Sequence, residues 1–183
     1  MQRVVITGAG TINPLGHTVP QTLEAMREGR CGIGPLDIRD IDRLAVQIGG
    51  QVRGYEEAEH FNRQQIALYD RFTQFTLLAA RQAIEQSGLE ISGDVANRSG
   101  VVLGTSGGGL NTQDENYRAV YEEGKNRVHP FIVPKLMNNA AASHVSMEFN
   151  LRARPLPFQR PVHRPITQWR KPFRWCMAVL LLR

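Results

Sequence analysis

Cysteine is scarce: the 183 residues include only Cys31 and Cys176. That excludes a disulfide-stapled secreted framework and makes a reducing compartment the default. Long apolar runs are missing too, since the longest, Met177–Leu182, is far below the ~20 residues a membrane helix needs. The opening MQRVVITGAG has neither the apolar stretch nor the cleavage pattern of a signal peptide. A cytoplasmic protein with no membrane partner is therefore expected. Histidines 17, 60, 129, 144 and 163 show no metal-ligand spacing and the cysteines add none, so no metal is expected. The most informative absence is local. Residues 153–183 contain no glycine and no acidic residue, whereas residues 1–152 hold all 17 of each. That stretch instead carries seven basic residues, five prolines and both tryptophans. So abrupt a change marks either a domain boundary or a break in the reading frame.

At 42% apolar and 21% charged residues the chain can bury a core. The net charge of +5 consists of +7 in the last 31 residues against −2 before them. The basic pI near 9.7 therefore says little about partners of residues 1–152.

Along residues 1–152, strand and helix signals alternate. Arg3–Thr7 (RVVIT) is a β-branched run that ends at Gly8, which fits a strand buried on both faces. Val19–Arg30 predicts a helix, with Pro20 in its first turn, Leu23 and Met26 on one face and Gly29 near its end. Leu44–Val52 predicts a strand. Asn62–Ser87 predicts the longest helix, with Asn62 and Gln65 as a capping box and Gly88 as its stop. Its apolar stripe is Ile66, Tyr69, Phe72, Phe75, Ala79 and Ala83. Gly100–Gly104 (GVVLG) predicts a second buried strand, Leu110–Glu123 a helix, and Met137–Phe149 a small-residue helix. No internal repeat is visible. This alternation argues for an α/β fold with a largely parallel core. Residues 153–183 show neither period, and Arg154-Pro155, Arg160-Pro161 and Arg164-Pro165 interrupt them, so an irregular tail is expected.

Two glycine clusters follow strands. In Thr7-Gly8-Ala9-Gly10 the dinucleotide fingerprint fails, because Ile12, Asn13 and Pro14 stand where further glycines should open the helix. A tight turn is preferred there. Gly104–Gly109 lacks the lysine of a phosphate loop; its amides would either cradle an anion or let backbone approach a ligand or a second subunit. His144, on the small-residue helix, reads as packed or capping. Cys31 follows a helix end rather than starting one, so nothing lowers its pKa and no nucleophile is assigned to it.

Taken together, Arg3–Gly16, Ala25–Gly34, Gln82–Leu89, Gly100–Leu110 and Pro130–Arg152, in this order and spacing, resemble the N-terminal half of the β-ketoacyl-acyl-carrier-protein synthases. The resemblance is strongest to the type II condensing enzymes and covers residues 1–152. It implies the first half of a thiolase-like α/β fold, a homodimer, an acyl carrier protein as partner, and no cofactor. In that family Asn-Leu-Arg continues as Gly-Pro, a strand and a Thr-Ala-Cys-x-Ser-Ser elbow that bears the nucleophile. This chain reads Ala153-Arg154-Pro155 instead. One permitted set of codons for Ala153–Gln168, preceded by a single added G, re-reads as Gly-Pro-Ala-Phe-Thr-Val-Ser-Thr-Ala-Cys-Ala-Ser-Ser-Asn-His-Ala. The missing motif then returns, with its cysteine at the place now held by Val162. A single-base loss just after Arg152 is therefore expected, with residues 1–152 an incomplete synthase domain and 153–183 out of frame.

The resemblance also places Gly104, Thr105, Ser106, Gly107, Gly108 and Gly109 beside the acyl pocket. A bulky residue often stands where Gly107 is, so Gly107 either makes room for a longer acyl chain or only serves the turn. Phe131–Val133 resembles a segment that crosses the family's dimer interface, where Ile132 would line the partner's pocket. The family's two histidines and its lysine lie in the second half, so no catalytic residue is present and no condensing activity is expected of the chain as written. RVVIT and GVVLG are expected to lack neighbouring strands, leaving apolar edges and poor solubility. Two rivals remain. One is a non-catalytic protein whose basic tail binds nucleic acid or an acidic partner, detectable as salt-sensitive binding. The other is a nicotinamide-dependent reductase, against which the broken fingerprint speaks.

Overall fold

The computed structural model describes residues 5–153, and the backbone alone of residues 156–157 and 178–182. The chain divides into two compact units, Met1–Glu56 with Leu78–Gly88, and Glu57–Leu77 with Leu89–Arg183.

In the first unit, α1 (Val19–Arg27) starts where the Thr18 side chain accepts the Gln21 N–H and Pro20 fills the first turn, and Gly29 follows its end at φ +67. This is the predicted helix, shortened by its glycine stop. Leu23 and Met26 share a face that is exposed, while Thr22 and Ala25 are buried. Thr22 is drawn inward by Asn13, whose buried Nδ2 donates to Thr22 Oγ1 at 2.8 Å and to Thr11 Oγ1 at 3.0 Å. Here a satisfied polar pair outranks the apolar face. β1 (Ile33–Pro35) pairs antiparallel with β2 (Ile48–Gly50), with Ile33 opposite Gly50. The strand predicted over Leu44–Val52 thus holds only three residues, and β1, an Ile-Gly-Pro triplet, is too short to show a period.

The predicted RVVIT strand is corrected. Arg3 and Val4 lie outside the described residues, and Val5–Thr7 is not in a strand, with Val5 65% and Ile6 92% exposed. A β-branched run expresses a fit to a pleated, half-buried surface and needs a neighbour to pair with.

The helix predicted over Asn62–Ser87 is two helices, α2 (Arg63–Leu68) and α3 (Arg71–Ser87), broken at Tyr69–Asp70. The capping box is present in full: Asn62 accepts from the Gln65 N–H, and Gln65 accepts from the Asn62 N–H. Gly88, at φ +62, ends α3 as predicted. The later part of α3 belongs to the first unit and is crossed there by the first glycine cluster. A Cβ on Gly8 would overlap the Ala83 carbonyl, and one on Gly10 the Ala79 carbonyl. The Ala9 N–H donates to Gln86 Oε1 at 2.6 Å and the Thr11 N–H to Gln82 Oε1 at 3.2 Å, while Gln82 Nε2 donates to the His17 carbonyl at 2.7 Å. Those glycines serve close backbone approach to a helix. With the Ala9 and Thr11 amides engaged by glutamines, the arrangement speaks against a dinucleotide cradle.

In the second unit, β3 (Ser99–Leu103) is the middle strand of the order β4-β3-β5. β4 (Leu156–Pro157) runs parallel to it, with Val102 opposite Leu156. β5 (Ala178–Leu182) runs antiparallel, with Ser99 opposite Leu182. GVVLG therefore does not lack neighbours: Ser99, Val101 and Leu103 are buried, and Gly100 and Val102 half-buried. The parallel core expected from the alternation is confined, among the described residues, to the β3–β4 pair. Strand pairing at Ala178–Leu182 also departs from the irregular tail expected there; the rest of that expectation lies outside the described residues. α4 (Gly93–Arg98) leads directly into β3, α5 (Leu110–Tyr121) follows the second glycine cluster, and α6 (Ile132–Leu136) precedes α7 (Ala140–Glu148). α7 packs on β3, and Ala140, Ala141, Ala142 and Val145 are buried. This small-residue face permits the close approach of α7 to β3. Beyond α7, the Arg152 N–H donates to the Ala96 carbonyl at 2.9 Å and the Ala153 N–H to the Ser99 carbonyl at 3.0 Å.

Candidate functional site

The candidate site is the loop that leaves β3 and enters α5. Gly104 and Ser106 are exposed, Thr105 and Gly107 half-buried, and Gly108 and Gly109 buried. Its glycines divide by what surrounds them. Gly108 sits at φ +62, and a Cβ there would lie 2.5 Å from both the Leu136 carbonyl oxygen and Asn138 Oδ1. A Cβ on Gly109 would lie 2.7 Å from Leu136 Cα and 3.1 Å from Asp70 Oδ2. The Gly109 N–H also donates to the Leu136 carbonyl at 3.1 Å. These two glycines are demanded by backbone against backbone. Gly107 is different: it is outside the left-handed region, and a Cβ there would meet only Leu110 side-chain atoms, at 3.0–3.4 Å. The turn itself does not require a glycine at that position.

From Gly107 to Leu110 the loop amides meet acceptors of the protein itself. The Gly107 and Gly108 N–H groups make long contacts of 3.5 and 3.4 Å with Thr105 Oγ1, and the Leu110 N–H reaches the Gly108 carbonyl at 3.0 Å. An anion cradle made of these amides is therefore not what the loop presents.

Of the two residues at the α2–α3 break, Asp70 meets this loop, and periodicity reasoning missed the roles of both. Tyr69 lies against His144 of α7, ring centroids 4.4 Å apart and planes tilted by 57°, and meets Phe61 edge-on at 5.7 Å. Asp70 is 3% exposed. Its Oδ2 accepts from the Thr112 N–H at 2.8 Å and from Thr112 Oγ1–H at 2.6 Å, and its Oδ1 faces the Phe72 N–H at 3.3 Å. An aspartate preceding Arg-Phe-Thr-Gln is an N-cap signal that could have marked the break.

His144 is packed, as its sequence context suggests. Burial pushes its imidazole below the ordinary value of 6.5. A folded-state value below the unfolded one means that the unfolded chain binds the proton more readily. The neutral ring's contribution is therefore intact above about 6.5 and is lost as pH falls below it. His144→Phe keeps a ring against Tyr69 and removes the titration. Its melting temperature should fall less than the parent's between neutral pH and about pH 5. Equal falls in both proteins would dismiss His144 as an acid-sensitive element.

Ile132 is the first residue of α6 and is half-buried. The loop meets that helix at its other end, Leu136, so Gly107 and Ile132 are not brought together by this contact. Val162 and Cys176 lie outside the described residues, and Cys31 is exposed. Among the described residues no group of three or more metal-ligating side chains is assembled, and no helix is long and apolar enough to cross a membrane.

Residues 1–158 match the family model described as beta-ketoacyl synthase, N-terminal domain. The 3-oxoacyl-[acyl-carrier-protein] synthase 2 of Coxiella burnetii is 36% identical over 151 residues, which are 82% of this chain and 36% of that protein. Nodulation protein E of a Rhizobium species (strain N33) is 38% identical over 151 residues, 82% of this chain and 37% of that protein. The chain thus spans about a third of the length of the curated relatives it matches. Among solved structures, the ishigamide ketosynthase/chain length factor superposes with a TM-score of 0.72 at 21% identity, over 85% of this chain and 39% of that one. A beta-ketoacyl synthase from Burkholderia phymatum STM815 gives 0.67 at 24% identity, over 86% and 39%. Over the matched residues the fold is that of a part of the ketosynthases, as the resemblance to their first half implied.

Proposed function

The chain belongs to the β-ketoacyl synthase family by its N-terminal domain, and from that membership we propose that it carries the scaffold and acyl-pocket loop of a cytoplasmic, homodimeric 3-oxoacyl-carrier-protein synthase. Its acyl donor and its malonyl substrate would both ride on an acyl carrier protein. A type II ketosynthase of the same fold has been solved in complex with its carrier protein, which supports that choice of partner. In the family reaction a cysteine thiolate takes the acyl group from its carrier thioester and releases the carrier thiol. Malonyl-carrier protein then loses carbon dioxide, and the resulting carbanion attacks the acyl-enzyme carbonyl and expels the cysteine thiolate. Oxyanion-type stabilisation carries the developing charge.

The observation that carries the pocket reading is the contrast within the loop. Gly108 and Gly109 are fixed by backbone contact, whereas Gly107 borders only the movable Leu110 side chain. A glycine that the backbone does not require fits one kept for space, in line with an acyl chain longer than a bulky residue would admit. Ile132 remains the proposed contribution to a partner's pocket. We place residues 1–152 in the synthase domain and 153–183 out of frame. Alignments with curated relatives extend over about 151 residues, in keeping with that boundary, although the family model runs on to residue 158.

The direct test is the coding DNA across codon 152, read from fresh genomic template and onward. One additional base that restores Gly-Pro through Thr-Ala-Cys is expected. The present frame, confirmed on both strands, would overturn the frame proposal and leave a chain with valine where the family nucleophile stands.

A further inference from the structure

Gly109 is the N-cap residue of α5, and that helix has no side-chain cap of its own. A glycine cannot supply the oxygen that serine, threonine or aspartate normally offers to the first-turn amides. Here the oxygen comes from another helix. Asp70 Oδ2 accepts from the N–H of Thr112, the third residue of α5, and from its hydroxyl, at 2.8 and 2.6 Å. The same residue opens α3: the Asp70 carbonyl accepts from the N–H groups of Thr73 at 2.9 Å and Gln74 at 3.1 Å, and Oδ1 faces the Phe72 N–H at 3.3 Å. One buried carboxylate thus faces the positive ends of two helices, which offsets the cost of removing its charge from water.

We propose that Asp70 is a positioning residue for the second glycine loop. It caps α5 from outside, so Gly107–Gly109 can remain without side chains, and it holds Gly109 against Leu136. This deepens the acyl-pocket reading and rests on it for its functional meaning. With the downstream end anchored by Asp70 and the Leu136 carbonyl, the movable part of the wall is reduced to Gly107 and Leu110, so the carboxylate sets where that wall stands. Thr112 is 3% exposed. Losing Asp70 would therefore leave a buried hydroxyl and a buried amide without their acceptor, which is why the effect should concentrate at α5.

The test is amide hydrogen exchange on the full 183-residue chain and on Asp70→Ala, Asp70→Asn and Thr112→Val, each with and without dodecanoyl-pantetheine as probe. In Asp70→Ala the amides of Gly109–Gln113 should exchange roughly tenfold faster or more, while those of β3 and α7 hold their rates. Asp70→Asn should restore protection at Thr112, because the amide oxygen still accepts, but loosen Phe72, which would then face an N–H₂ donor. That transfer of the defect from α5 to α3 is not produced by a general loss of stability. Thr112→Val, which removes one donor and keeps the volume, should show a smaller rise at the same amides, and it decides the matter if Asp70→Ala does not fold. Unchanged exchange at Gly109–Gln113, or an equal rise throughout the chain, would overturn the proposal. Faster loop exchange with no effect of the acyl probe would uphold the positioning role and tell against the acyl-pocket reading.

Discussion

Gly108→Ala should destabilise the chain by about 3 kcal/mol or more, the largest cost expected of any single methyl added to the loop. Two terms combine. The residue sits at φ +62, where a Cβ costs about 1–2 kcal/mol. The added carbon would also stand 2.5 Å from the Leu136 carbonyl oxygen and from Asn138 Oδ1, well inside contact distance. The asparagine can rotate away, but the carbonyl belongs to backbone that also accepts the Gly109 N–H, so relief has to break that bond or move the end of α6. Gly124→Ala separates the two terms, because Gly124 has φ +65 and nothing within 4 Å of its would-be Cβ; it should cost only the backbone term. Gly107→Ala lacks the backbone term and meets a flexible leucine, so it should fall within about 1 kcal/mol of the parent. Urea unfolding of the four proteins at matched slope measures all of this. A Gly108→Ala cost no greater than that of Gly124→Ala would mean that the loop is not clamped on Leu136.

The same series shows what was legible in the sequence. Signals that act within a few residues could be read: the Asn62–Gln65 box, the Gly29 and Gly88 stops, the β3 run and the start of α5 at Leu110. The glycine loop was legible as a cluster after a strand. Its internal division was not, because that depends on Leu136 and Asn138, which reach it only in the fold. Asp70 was hidden for a similar reason: its bonds to Thr112 span 42 positions. The break at Tyr69–Asp70 was masked by an apolar stripe that keeps helical spacing straight through it, from Ile66 to Phe72. The RVVIT run departs from its sequence signal for the opposite reason. Local β preference was strong, but a strand is completed by its neighbour, and Val5 and Ile6 stand exposed without one among the described residues. Where GVVLG was expected to be bare, chain from beyond Arg152 supplied pairing on both sides.

The frame proposal leads to the largest effect on activity. The chain as written should show no decarboxylative condensation. The gene product restored by one base after codon 152 and read to its natural stop should condense malonyl- and acyl-carrier proteins. Replacing the cysteine that then stands in place of Val162 by alanine should remove that activity again, by on the order of 10⁴-fold or more. A general gain in solubility cannot imitate this pattern, since the alanine variant keeps the restored fold and loses only the thiolate that accepts the acyl group. β4 gives a structural reason to expect the restored strand to seat correctly. Leu156–Pro157 already runs parallel to β3, with Val102 opposite Leu156, and the re-read sequence sends its strand toward the elbow from the same two positions. Mass spectrometry of the restored protein incubated with acyl-carrier protein alone would show the acyl group on that cysteine, and labelled malonyl-carrier protein would then release carbon dioxide in proportion to product. Comparable turnover by the unrestored 183-residue chain would refute the proposal, because it would place the nucleophile somewhere other than the lost elbow.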